Sequence, residues 1–242
     1  MDAATSDLQA ALPSNEFEFF FPSAPYSGVW VPDPPGGKDE PTTSVNVANQ
    51  SLELLDNIVA ANGPFWGIMG YSQGSAFATV YTAYAPSGTF NATILFCGYL
   101  TETHLGLLDL VNAATPFGDI PALVWMGTRD STITNLQTTA QSEKYTNPTV
   151  IRETGGGHFV PGNSDDTLMQ VRNWIVDTAA SSSTPTPTPS TFTTESTNPS
   201  PSPSSSTSSG SNNTIVIAVV VSVIGVFVVG GVAFYFMRVR KV

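Results

Sequence analysis

A serine between glycines, a histidine behind three glycines and an aspartate just past an apolar run are the residues of this 242-residue chain that could do chemistry together. Ser72 lies in Gly70-Tyr71-Ser72-Gln73-Gly74, a G-x-S-x-G pattern whose glycines let the serine sit on a cramped strand-to-helix turn with its hydroxyl presented. A serine hydroxyl is a poor nucleophile near neutral pH, so it needs a histidine to take its proton and a carboxylate to orient that histidine. The chain has two histidines. His158, in Gly155-Gly156-Gly157-His158-Phe159-Val160-Pro161, lies on a loop from which its ring could reach Ser72, whereas His104 after Thr103 reads as a packing or surface histidine. The carboxylate reads as Asp130 in Gly127-Thr128-Arg129-Asp130-Ser131, directly after the apolar run 122–126 and so at the sheet edge where open α/β folds gather their site residues. Asp119 precedes that run and belongs to the opposite edge. Asp165 and Asp166 have the position of helix-capping residues.

These side chains can meet only if a sheet carries them. Residues 5–12 suggest a short helix and residues 16–21, rich in Phe, a strand stopped by Pro22. Residues 26–41 are rich in Pro and Gly and read as a loop, and 44–62 has the apolar spacing of an amphipathic helix. The run 65–69 meets the Ala-rich helical segment 74–84 at Ser72. Further strands are expected at 92–96, 122–126 and 149–152, with helices at 135–144 and 165–178. Strands alternating with helices imply an α/β fold, a mostly parallel sheet covered on both faces. The order Ser72, Asp130, His158 along the chain is that of α/β-hydrolases.

With these motifs in place the chain resembles the FSH family of serine hydrolases, relatives of short-chain carboxylesterases. The matching residues are Phe17-Glu18-Phe19-Phe20-Phe21-Pro22-Ser23-Ala24-Pro25, Gly70-Tyr71-Ser72-Gln73-Gly74-Ser75-Ala76, Gly127-Thr128-Arg129-Asp130 and Gly156-Gly157-His158-Phe159-Val160-Pro161, within residues 5–178. Acyl-protein thioesterases, with a similar serine motif, are the rival family. The resemblance implies hydrolysis of acyl esters or thioesters, with Ser72 as nucleophile, His158 as general base then acid, and Asp130 as orienting carboxylate. Members of this family open with a buried strand whose His-Gly loop gives one of two backbone donors to the oxyanion. This sequence starts at about the following helix, so the resemblance leaves the backbone N–H of Gln73 as the remaining donor. Loss of one donor costs about 3–4 kcal/mol in the transition state. The same departure implies a gap, or a direct re-pairing, between 16–21 and 65–69 at the centre of the sheet.

The other chemistries are poorly served. Residues 1–180 carry five Lys and Arg against 18 Asp and Glu, a net charge of −13, which argues against nucleic acid as a partner. One cysteine, Cys97, excludes an intrachain disulfide, and with two isolated histidines it forms no metal-ligand pattern. No phosphate-cradling or dinucleotide glycine motif marks a cofactor.

Beyond the expected domain 1–180 the composition changes. In 181–213, 27 of 33 residues are Ser, Thr or Pro, which reads as a disordered, mucin-like stalk. Residues 214–237 read as a transmembrane helix: the charge-free run 215–237 holds 23 residues and as a helix spans roughly 34 Å. Arg238, Arg240 and Lys241 in the short tail 238–242 put the C-terminus in the cytoplasm and the hydrolase domain outside it. Sequons at Asn49, Asn91 and Asn212 fit a secretory route. The first 13 residues show no signal-peptide pattern, so the alternatives are a tail-anchored domain in the cytosol or a sequence that lacks its natural start. The functional alternatives are a membrane-tethered esterase or thioesterase, a catalytically impaired hydrolase-like ectodomain that binds or adheres, and a fragment that does not fold alone.

Overall fold

The runs at 67–71, 92–96, 122–127 and 149–153 are each followed by a helix, and a chain patterned in this way lays successive strands side by side while the helices cross over the faces. The computed structural model, which describes residues 4–182, 217–219 and 235–237, has this arrangement. In order it contains α1 (Ser6–Ala11), β1 (Phe19–Phe20), α2 (Asn49–Asn62), β2 (Gly67–Tyr71), α3 (Gln73–Tyr84), β3 (Ala92–Phe96), α4 (Leu105–Ala114), β4 (Ala122–Gly127), α5 (Asn135–Ser142), β5 (Thr149–Glu153), α6 (Leu168–Ser182), β6 (Ile217–Val219) and β7 (Tyr235–Met237). Strands β2 to β5 pair in parallel in that order, with Gly67 opposite Ala92, Thr93 opposite Ala122 and Leu123 opposite Thr149.

Alternation along the strands divides the core between two faces. Ile68, Leu95, Val124 and Met126 pack with Leu52 and Leu55 of α2, Phe77 and Tyr81 of α3, and Leu107 and Val111 of α4. Met69, Ile94, Phe96, Leu123 and Trp125 point the other way, onto Leu8 of α1 and Leu168, Val171 and Ile175 of α6. Strands β2, β3 and β4 are buried on both sides, which is why they read as continuous apolar runs; β5, at the sheet's edge, keeps exposed positions at Thr149 and Arg152.

Several boundaries differ from the sequence reading for identifiable reasons. The strand expected at 16–21 shrinks to Phe19–Phe20 because Glu16 and Phe17 donate their N–H groups to the Pro13 carbonyl in a turn. The helix expected from 44 starts as a 3-10 turn, Val45–Ala48, with the Ser44 hydroxyl accepting from Asn46 N–H. The last helix begins at Leu168, not at 165, because the Asp165 carboxylate accepts from Gly162 N–H and its carbonyl from Leu168 N–H; Asp165 therefore closes the preceding turn instead of capping the helix. Helix α4 was not anticipated at all: Gly106 lowers helix propensity there, and the buried pair Leu107 and Val111, one turn apart, holds it to α3.

The largest difference from the sequence reading concerns the C-terminal segment. The described ends of the expected helix 214–237 are strands: Ile217–Val219 pairs with β1, and Tyr235–Met237 pairs with both β1 and β2, with Phe236 opposite Ile68 and Tyr235 opposite Met69. The centre of the sheet is thus neither open nor closed by direct pairing of β1 with β2: the facing edges of these strands carry backbone groups that need partners, and the segment that fills the slot is apolar and rich in strand-forming residues. Among the described residues no helix is long and apolar enough to cross a membrane. Helix α6 runs two residues into the expected stalk; the rest of 181–213, residues 214–216 and 220–234, and the tail 238–242 lie outside the described residues.

Candidate active site

At the C-terminal end of β2 the chain must turn sharply into α3. Ser72 takes that turn with φ 56° and ψ −125°, a conformation that non-glycine residues adopt only when their surroundings impose it. The imposition is visible. The N–H of Ser72 donates to the Phe96 carbonyl of β3 at 2.9 Å, and a Cβ added at Gly70 would lie 2.5 Å from the Gly74 carbonyl oxygen and from Ser75 Cα. Strand and helix approach more closely than a side chain at position 70 would permit.

The same edge of the sheet brings the other two expected residues to Ser72. His158 Nε2 lies 2.9 Å from Ser72 Oγ, and His158 Nδ1 lies 2.7 Å from Asp130 Oδ2. The second carboxylate oxygen of Asp130 accepts from the N–H groups of Thr132 at 2.8 Å and Ile133 at 2.9 Å, so the acid is fixed before the histidine meets it. Side-chain exposure is 2% for Asp130 and 11% for His158. In such a dry site each hydrogen bond is electrostatically stronger than it would be in water. An ionised carboxylate can only accept, which puts the imidazole proton on Nδ1 and leaves Nε2 to accept from the serine hydroxyl.

Gln73 opens α3, and the first backbone N–H groups of a helix have no partner within it. Its side chain has a task that sequence reading missed. Gln73 Oε1 accepts from Trp30 N–H at 2.9 Å and Nε2 donates to the Val31 carbonyl at 2.8 Å, pinning the loop after β1 to the serine turn. His104 belongs to that loop's support: Nε2 donates to the Pro32 carbonyl at 2.9 Å and Nδ1 pairs with the Thr103 hydroxyl at 3.1 Å. Burial lowers its pKa, against an opposing contribution from the Pro32 carbonyl. Trp66, Tyr71 and Trp125 are buried in the core, and Phe159 packs against them at its edge.

Cys97 also reaches this site. Its Sγ, a carboxylate oxygen of Asp130 and a ring nitrogen of His158 lie within 4.8 Å of one another. Each of the three already has partners, the sulfur facing the Phe159 carbonyl at 3.5 Å and the Gly157 carbonyl at 3.8 Å. Tyr71 was likewise missed as a neighbour of His158, since nothing in the variable position of a G-x-S-x-G motif reveals which distant loop will cover it. The far end of that loop is held by Glu153, whose buried carboxylate accepts from both the N–H and the hydroxyl of Thr167, while Thr167 Oγ1 accepts from Trp125 Nε1 at 2.7 Å.

Comparison with known proteins is consistent with this geometry. A family model described as serine hydrolase (FSH1) matches residues 29–170. No curated protein sequence matches the chain. Among solved structures the chain is similar to acyl-protein thioesterase 2 of Zea mays, with 15% identity over 62% of this chain and 72% of that one and a TM-score of 0.44. It is also similar to an esterase, PE8, with 18% identity over 61% and 69% of the two chains and a TM-score of 0.44. A third, Est1E from Butyrivibrio proteoclasticus, has 14% identity over 60% and 73% and a TM-score of 0.40. Scores this low add nothing to the strand order already described.

Proposed function

We propose, from the premise that this chain belongs to the serine hydrolase (FSH1) family, that it cleaves a small acyl ester or thioester through an acyl-serine intermediate. The observation that carries the reading is the unbroken hydrogen-bonded line from Asp130 through His158 to Ser72. In this reading Nε2 of His158 takes the hydroxyl proton as Ser72 Oγ attacks the acyl carbon, and Asp130 stabilises the imidazolium that forms. The oxyanion of the tetrahedral intermediate accepts from Gln73 N–H. His158 then returns the proton to the departing alcohol or thiol, and water repeats the sequence on the acyl-serine to release the acid.

A fluorophosphonate probe tests this. Wild-type protein is expected to be labelled and Ser72→Ala to lose the label; label that persists in the variant removes Ser72 from the mechanism. The competing reading is a hydrolase-like domain that binds without turnover. What favours it is that the slot beside β2, where the family's second oxyanion donor is expected to arise, holds residues 217–219 and 235–237 instead. A folded wild-type protein that resists the probe would decide for binding.

Location is a separate proposal, supported by sequence features: the charge-free run 215–237 and the basic residues after it favour a single-pass tether with the hydrolase domain outside the cytoplasm. Its rival is the pairing of both ends of that run in the sheet.

A further inference from the structure

The histidine of this site is carried by a glycine-rich loop. Gly155, Gly156 and Gly157 precede His158, and glycine loses more conformational freedom on ordering than any other residue. Backbone hydrogen bonds hold only the start of the loop: Gly156 N–H donates to the Glu153 carbonyl, and Arg129 N–H to the Gly156 carbonyl. From Gly157 to Phe159 the backbone carbonyls are met by side chains at the ends of two neighbouring strands. Tyr71, the last residue of β2, donates its hydroxyl to the His158 carbonyl at 2.8 Å. Its ring also lies against the imidazole, with centroids 5.0 Å apart at an angle of 38°. Cys97, just past β3, directs its sulfur at the carbonyls on either side, Phe159 at 3.5 Å and Gly157 at 3.8 Å. Two donors thus face three consecutive carbonyls, the single S–H being shared between Gly157 and Phe159 with the shorter contact to Phe159.

We propose that Tyr71 and Cys97 are positioning residues, a two-point clamp on the backbone of 157–159 that sets the height of the His158 imidazole above the sheet, where Nε2 meets Ser72 Oγ. The inference rests on the hydrolase reading and deepens it. Two further observations agree. Cys97 sits at φ 46°, the left-handed region that favours glycine, so the strand end holds a side chain in a strained position at the point where its sulfur meets the loop. Burial, with Cys97 and Asp130 next in order for Tyr71 and Asp130 next for Cys97, pushes both the phenol and the thiol up, so each keeps its proton near neutral pH and can donate.

The experiment compares full-length wild type with Tyr71→Phe, Cys97→Ala, Cys97→Ser and the double variant Tyr71→Phe/Cys97→Ala. Phe keeps the ring and removes only the hydroxyl, so the fold should survive. Loss of an imidazole's placement without loss of substrate contacts should lower kcat by about tenfold in Tyr71→Phe and leave KM within about twofold. Cys97→Ser should recover most of what Cys97→Ala loses, and the double variant should lose more than the two single losses multiplied, because each residue alone still restrains the loop in part. Amide hydrogen exchange across 156–160 should quicken in Tyr71→Phe while Tm stays close to wild type. Unchanged exchange overturns the clamp, whatever the activity. So does a kcat within twofold of wild type, or a loss carried entirely by KM. If wild-type protein resists fluorophosphonate, the hydrolase reading fails, and the exchange measurement alone decides whether the clamp exists.

Discussion

Asp130 meets His158 Nδ1 at 2.7 Å with one carboxylate oxygen and fastens itself to the N–H groups of Thr132 and Ile133 with the other. The two oxygens divide the work: one anchors the carboxylate, the other orients the imidazole. Asp130→Asn separates these tasks. The amide oxygen can keep the Thr132 and Ile133 contacts, so the fold should persist, but the amide N–H₂ would face Nδ1 and force it to accept. The proton then moves to Nε2, which can no longer take one from Ser72. Ester hydrolysis should fall by roughly 10³- to 10⁴-fold with little change in Tm. Wild-type turnover in this variant would mean that Asp130 does not orient the histidine.

Gly127, where β4 ends, offers a test of the loop from its other side. A Cβ there would run into the backbone of Gly156 and Gly157, the residues leading to His158. Gly127→Ala should therefore push the loop outward. A shift near 1 Å costs about a hundredfold in rate, and fluorophosphonate labelling of Ser72 should slow by that order. The overpacking should also cost about 1–3 kcal/mol of stability, read from chemical denaturation. Labelling at the wild-type rate would show that the loop tolerates the displacement.

Much of this site was legible because its parts obey local rules. The serine needed a cramped turn, which Gly70 and Gly74 announce, and the histidine needed a loop after the last paired strand of the β2–β5 sheet, which three glycines announce. Sheet edge alone distinguishes Asp130 from Asp119, and the parallel order of β2 to β5 follows from alternation of strand and helix. What stayed hidden depends on tertiary path. Tyr71 lies one residue before Ser72, yet its partner is 87 residues away, and Cys97 finds carbonyls 60 and 62 residues distant. Periodicity carries no signal of such pairs. Helix α4 was hidden for a different reason: Gly106 weakens its local pattern, and packing on α3 overrides propensity.

His104 gives a pH prediction. Burial lowers its folded-state pKa below the unfolded value of about 6.5, so between these two values the unfolded chain binds more protons and stability rises with pH. The neutral form's contribution is complete above about pH 6.5 and is lost as pH falls toward the folded-state value. His104→Gln keeps an N–H₂ to donate to the Pro32 carbonyl and removes the titration. Tm measured from pH 7.5 down to pH 5 should therefore drop more steeply in wild type than in His104→Gln, the carboxylates acting alike in both. Parallel curves would show that His104 is as easily protonated in the folded chain as in the unfolded one.

The run 215–237 cannot lie in the sheet and in a bilayer at once. In the sheet, Ile217–Val219 and Tyr235–Met237 satisfy the facing edges of β1 and β2, and deleting 214–242 would uncover buried backbone groups whose loss of partners costs about 1–3 kcal/mol each. In a bilayer, its 23 uncharged residues would be a helix, and the deletion would release the domain without weakening it. Alkaline carbonate extraction of full-length protein separates the two. Under the proposed tether the chain stays in the pellet and the deleted form appears in the soluble fraction with unchanged Tm. Full-length protein in the supernatant, together with a lower Tm on deletion, would overturn the tether and assign the segment to the sheet, where it would replace the strand that the family resemblance places between β1 and β2.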